Sequence, residues 1–291
     1  MIADAAADIA LTATLARLER LAPTLGAPLI ERPTDGWMAA RDWISDRRRL
    51  DDALAHIAAT YRVPDWQPTT RYRHVVAAFL INSYAWFLPA AAIAAYLTEK
   101  RVPDLDPDNV VVRLRSPDEG GLFEIGLLSS RMAVLPDDPA AGAAEATVLH
   151  DTVQLRAWLR RRIEAHMAPL IEAVHRHTGF SRRAQWNLVA DDCAALFLWI
   201  GQRIGAEERA CVEGRAFVGA AGSPMQASRT AYITLDVGGQ RHTFRKRGGC
   251  CLYYRLPGGQ HCSTCALLPA QEREQRLRAS ITSTQENKHE E

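Results

Sequence analysis

Four cysteines, Cys250, Cys251, Cys262 and Cys265, fall within sixteen residues of one another, and nothing else in the chain is so concentrated. The spacing Cys262-x-x-Cys265 is a chelating bite, because two intervening residues turn the backbone enough to aim both sulfurs at one point. The adjacent pair Cys250-Cys251 is harder to use, since neighbouring side chains in a strand face opposite ways. Both can ligate one centre only where the backbone leaves extended geometry, and Gly248-Gly249 just upstream supplies that freedom. The ten-residue loop between the two pairs, with Pro257-Gly258-Gly259 inside it, lets them converge. Unrelated core thiols fit such a glycine-loosened segment poorly. A structural zinc is ordinarily held by two spaced pairs, which one adjacent pair matches badly. An iron–sulfur centre with two irons takes four thiolates over a wider target. Spacing alone ranks iron–sulfur ahead of zinc without closing the choice.

The flanks add to the motif. Cys-Cys-x10-Cys-x2-Cys, preceded by Arg245, Lys246 and Arg247 and overlapping Leu252-x-Tyr254-Arg255-Leu256-Pro257, resembles the FhuF-like ferric siderophore reductases. Ser181-Arg-Arg-Ala-Gln-Trp186-Asn187 is similar to that family's Ser-x-x-x-x-Trp-x-Asn region on a central helix, although Trp186 and Asn187 are adjacent here. The resemblance is strongest over residues 165–267. It implies a [2Fe–2S] cluster on Cys250, Cys251, Cys262 and Cys265. It also implies one-electron reduction of a ferric siderophore, expected to be hydroxamate-type, with release of Fe(II). The electron would come from a donor such as a ferredoxin or a reductase. Oxygen donors hold Fe(III) tightly and Fe(II) far more weakly, so one electron is enough to free the metal. No general acid, base or nucleophile is required. Trp186, Asn187, Arg245, Arg247, Tyr254 and Arg255 become candidates for substrate or donor docking, with Tyr253 beside them.

Rival readings are a cluster-bearing sensor without reductase activity and a four-cysteine zinc protein. No basic recognition helix after a short turn supports DNA binding. The family's fold is related to part of the siderophore synthetases, yet no Gly-rich loop followed by Lys-Ser/Thr is present, so ligation is not expected. His261 could replace a thiolate in a Rieske-like site, but four cysteines already suffice. Cys193 and Cys211 read as packed structural thiols.

The elements that must position these residues follow from pattern. The chain has 291 residues, 47% hydrophobic and 24% charged, with formal net charge +1. That composition is globular, and such a balance gives no global field for nucleic acid or a membrane. Only Lys100, Lys246 and Lys288 are lysines, so arginine clusters such as Arg160-Arg161-Arg162 read as solvated faces. Residues 1–8 carry no basic n-region, and reduced clustered thiols point to the cytoplasm. Val75–Leu97 has no charge, but its eight alanines with Asn82, Ser83 and Pro89 suggest a buried helix broken or kinked near Pro89 rather than a stable membrane span.

Helical spacing marks Ile9–Leu21, Asp35–Ala59, residues 155–174 and a helix from Ser181 to about Gly205, with Gly179 as a C-cap. Pro64 and Pro68 mark a loop. Strand-like runs at 110–115 and 122–128 flank Ser116–Gly121, and 231–237 and 240–246 flank Gly238-Gly239, giving two hairpins. After Pro269 a short helix and frayed tail are expected. The class is α+β, mainly helical with small antiparallel sheets and a C-terminal cluster loop. The expected division is an N-terminal lobe over 1–135, an exposed linker at 136–142, a C-terminal lobe over 143–268 and a tail over 269–291.

Overall fold

In the computed structural model, residues 2–34, 36–67, 69–115, 122–226 and 228–289 are described. Asp35, Pro68, the first hairpin's turn at 116–121 and the last two residues of the tail lie outside them. The architecture is α+β and mainly helical, with three small sheets.

The N-terminal helix α1 (Ile2–Leu21) lays Leu11, Leu15 and Leu18 into the core. The single helix expected over 35–59 is instead a two-residue strand β1 (Met38–Ala39) and two helices, α2 (Ala40–Ser45) and α3 (Arg47–Thr60). Asp46 makes the division. It closes α2 and N-caps α3, accepting a hydrogen bond from the Arg48 amide at 2.8 Å. The uncharged segment forms α4 (Arg73–Glu99), which passes through Pro89 without the expected break. This helix is packed on nearly every face, so tertiary contacts outweigh the one backbone hydrogen bond that proline removes. It is long and apolar enough to cross a membrane, and 83% of its apolar window is buried within the fold.

Strands β2 (Val102–Pro103), β3 (Val110–Leu114), β4 (Phe123–Leu127), β5 (Met132–Val134) and β6 (Ala146–Val148) follow. β3 and β4 form the first hairpin and β1 joins the β3 edge antiparallel. β2 and β5 pair antiparallel, but β5 and β6 pair in parallel, an element that the hairpin pattern does not announce. Residues 136, 137, 139 and 142 are exposed, as expected of this segment, but it is also anchored. Ala140 is buried, and the Asp138 carboxylate binds the Arg101 guanidinium at 2.7 Å.

Two long helices carry the second half, α5 (Thr152–Thr178) and α6 (Arg182–Arg203). Gly179 ends α5 with φ +73°, the left-handed geometry that glycine takes without a Cβ penalty. Ser181 stands at the α6 N-cap position, but its side chain makes no capping bond. Helix α7 (Glu207–Val218) leads to the second hairpin, β7 (Ala231–Val237) and β8 (Gln240–Lys246), joined by Gly238 and Gly239, both at positive φ. The two hairpins lie in different sheets. Finally α8 (Ala270–His289) is a 20-residue helix, longer than the short one expected. The buried cluster extends from Leu11 to Leu256, with α4 and α6 at its centre.

His166 ties α5 to α4 inside this core. Its Nδ1 lies 2.7 Å from the Leu105 carbonyl, which can only accept, so Nδ1 carries the hydrogen and the Tyr84 hydroxyl donates to Nε2 at 2.8 Å. Burial holds the imidazole down at about 4 against an ordinary value of 6.5. A depressed folded-state pKa gives stability that is present above pH 6.5 and lost as pH falls toward 4, about 3 kcal/mol in all. Thermal melts between pH 7 and 4 should show this loss, and His166→Gln should lose less over that interval than the parent. Parallel profiles would remove His166 from the acid response.

Candidate functional site

β8 ends at Lys246, so the adjacent cysteines do not sit in a strand. The backbone turns after them through Leu252 at φ +62°, and the Leu252 amide donates to the Cys250 sulfur at 3.4 Å. The alternation that would drive the two side chains apart is thereby removed. Cys250, Cys251, Cys262 and Cys265 all line one small cavity with Arg247, Tyr254 and His261. The second pair is held by a tight turn in which the Cys265 amide donates to the Cys262 carbonyl at 3.0 Å. Cys265 is buried, Cys250 and Cys251 are half-buried and Cys262 is exposed. Burial, followed by the neighbouring Cys265 and Cys251 sulfurs, pushes the Cys250 thiol up to about 12. Ionising it as a ligand therefore calls for a cationic centre.

The base of the site is helix α6. The Asp191 carboxylate is fully buried and accepts from the Gly248 amide at 2.8 Å and the Gly249 amide at 2.9 Å, one on each oxygen. Thr230 donates to the same group at 2.5 Å. A Cβ on Gly248 would come within 2.3 Å of Ser228 Oγ and 2.6 Å of the Arg229 amide. One on Gly249 would press on Asn187 at 3.1 Å. Glycine is needed here for close approach more than for unusual torsions.

The placement of the candidate docking residues changes their meaning. The Arg245 side chain is only 14% exposed and donates to the Asp191 carbonyl at 3.0 Å and to Asp192 at 3.3 Å. Arg247 lines the cysteine cavity, and its Nε and Nη1 are buried without a hydrogen-bond partner among the described residues. Both point inward rather than presenting a surface. Tyr254 stacks on His261 with centroids 4.5 Å apart beside the cysteines, and Arg255 lies exposed over Tyr254. Trp186 is half-buried against the core, while Asn187 backs the Gly249 bend.

Several residues that contact the loop or its neighbours are absent from the motif. Asp191 and Asp192 could have been found as two adjacent acids in the otherwise apolar run 188–198 of α6. Arg273 and Arg276 of α8 carried no such signal. Arg273 donates to the Cys265 and Leu268 carbonyls at 3.4 and 3.1 Å, and Arg276 to the His261 carbonyl at 2.7 Å.

A family profile described as ferric iron reductase FhuF-like transporter matches residues 79–231, more than half of the chain. A second, the FhuF 2Fe-2S C-terminal domain, matches 247–267 and spans the four cysteines. The chain belongs to the FhuF-like ferric iron reductase family. Comparison with curated proteins gave no match.

The site of this FhuF-like chain suits a [2Fe–2S] cluster. All four thiols line one cavity, and the two irons of such a cluster would divide four thiolates between them. The orphaned Arg247 donors face the same cavity, where an anionic group would accept from them. Replacing Asp191 by Ala strands the buried Gly249 amide, at about 1–3 kcal/mol, and the half-buried Gly248 amide beside it. Asp191→Ala should lower the melting temperature and reduce iron and sulfide per purified chain. Parental iron content and cluster lifetime would show that other contacts hold the loop.

Proposed function

We propose that this FhuF-like protein is a ferric siderophore reductase in which Cys250, Cys251, Cys262 and Cys265 hold the [2Fe–2S] cluster. A bound cluster of this type supplies one electron at a time. The observation that carries the reading is the convergence of all four cysteines on one cavity, with Cys262 alone at the surface. One exposed thiol gives a short path to an outside acceptor, while Cys265 is buried and Cys250 and Cys251 are half-buried. Arg247 and Arg273 place positive charge against the loop and offset the negative charge that reduction adds.

The chain's remaining tasks are to orient and to select. Asp191 fixes the first cysteine pair, Arg273 and Arg276 fix the second, and no residue need move a proton. The test is direct. Dithionite-reduced protein, freed of excess reductant, should bleach a ferric trihydroxamate, with Fe(II) captured by a chromogenic ferrous chelator. Cys251→Ala should lose the cluster spectrum and slow bleaching by about tenfold or more. A colourless zinc-bearing protein, or full activity in that variant, would overturn the assignment.

Around the exposed Cys262, the loop presents Arg255 with two exposed apolar side chains, Tyr253 and Leu267. An acidic one-electron donor of the ferredoxin class fits such a rim. Its reduction rate should fall as ionic strength rises past 0.1 M, where screening acts within about 10 Å. Arg255→Glu should slow reduction by the donor and weaken the salt dependence. Rates indifferent to salt and to this substitution would place the donor elsewhere.

A further inference from the structure

If the protein reduces a ferric chelate, that chelate needs a seat beside the cysteine loop. The cavity among the cysteines is far too small to be that seat. A cavity of about 870 Å³ is lined mainly from α2, α3 and α5 and includes no residue of the loop. A second space of about 540 Å³ differs on this point. It is an open groove between α6 and β8, and Thr264, which stands between Cys262 and Cys265, forms part of its wall. The Thr264 hydroxyl lies 3.9 Å from the Cys262 sulfur.

We propose that this groove is the binding site for the oxygen-donor ferric chelate, walled by Trp86 and Trp199. This rests on the reductase reading above and gives it a location. The groove's size falls within the range of sites for ligands of several hundred daltons. Trp86 and Trp199 are both half-buried, meet edge to face with centroids 5.8 Å apart, and form an apolar corner for the chelate's hydrocarbon linkers. Arg203 caps that corner, its guanidinium 3.6 Å from the Trp199 ring centroid. The polar side belongs to β8. Arg241 is exposed, and His242 Nε2 is buried with no hydrogen-bond partner among the described residues. Amide and carbonyl groups at the rim of a hydroxamate-type chelate would supply one.

A chelate seated against Thr264 is two residues from the exposed Cys262, close enough for outer-sphere transfer with no bond made or broken. One electron converts the chelate's Fe(III) to Fe(II), and a ferredoxin-class donor replaces it.

Two variants change the groove in opposite ways and leave the cysteine loop alone. Trp199→Ala removes a wall, and Gln202→Trp, at an exposed lining position, fills the space. Binding of the redox-inert gallium(III) trihydroxamate chelate should weaken about tenfold in each, and the ferric chelate concentration for half-maximal reduction should rise about tenfold. The cluster spectrum and the rate with hexaammineruthenium(III), a small acceptor that needs no groove, should stay unchanged. Should Trp199→Ala fail to fold, Gln202→Trp decides the matter. Parental affinity for the gallium chelate in a folded variant, while the parent still reduces the ferric chelate, overturns the groove and leaves the reductase reading intact. Groove-dependent binding of the gallium chelate with no electron passed to the ferric one keeps the site and overturns the reductase reading.

Discussion

A carboxylate buried in mid-helix accepts from two consecutive backbone amides, and the cysteine site is organised around that contact. Asp191 lies on α6, the helix packed most closely against α4 in the core, so its position is set by the hydrophobic packing of much of the chain. Burial raises its pKa, and the Arg245 charge followed by the donors from Thr230, Gly248 and Gly249 opposes that shift. The loop is thus fixed by groups that must all be present together. Without glycine at 248 and 249 the amides could not approach, and without the apolar faces of α6 the carboxylate would not be held there.

The same helix sets the charge beneath the site. Asp192 is pushed up to about 7 by burial, opposed by Arg245 and Arg247 and reinforced by Asp191. Arg245 is drawn toward these acids, while Arg247 is left with free donors toward the thiols. Two arginines close together in sequence are therefore used differently, one to neutralise the helix and one to serve the cavity. Strand alternation does not separate them, since 245 and 247 share a parity. The end of β8 at Lys246 does.

Much of this was legible in the chain. The cysteine motif, the glycine pair, both hairpins and the long helices 152–178 and 182–203 are local patterns, each fixed by periodicity or turn chemistry. The division at Asp46 was less legible, because a capping aspartate inside an amphipathic run looks like any polar position until its side chain is seen on the Arg48 amide. Pro89 was misleading, since a proline breaks a helix only where packing does not hold the helix together. Asp191 braces the loop from more than fifty residues upstream, and no single-sequence pattern reports such a distance. The roles of Arg245 and Arg247 depended on which way each side chain turned, a tertiary property.

The two halves of the cysteine site are held by elements that leave the ribosome at different times. Asp191 precedes the loop by more than fifty residues, so the residue that braces Cys250 and Cys251 is synthesised before them. Arg273 and Arg276, which hold the carbonyls of Cys265 and His261, follow the loop and can act only once α8 has formed and docked. During synthesis the site passes through a half-braced stage in which the second pair of thiols is still free to open. The second pair of thiols therefore gains its last backbone restraints only with α8.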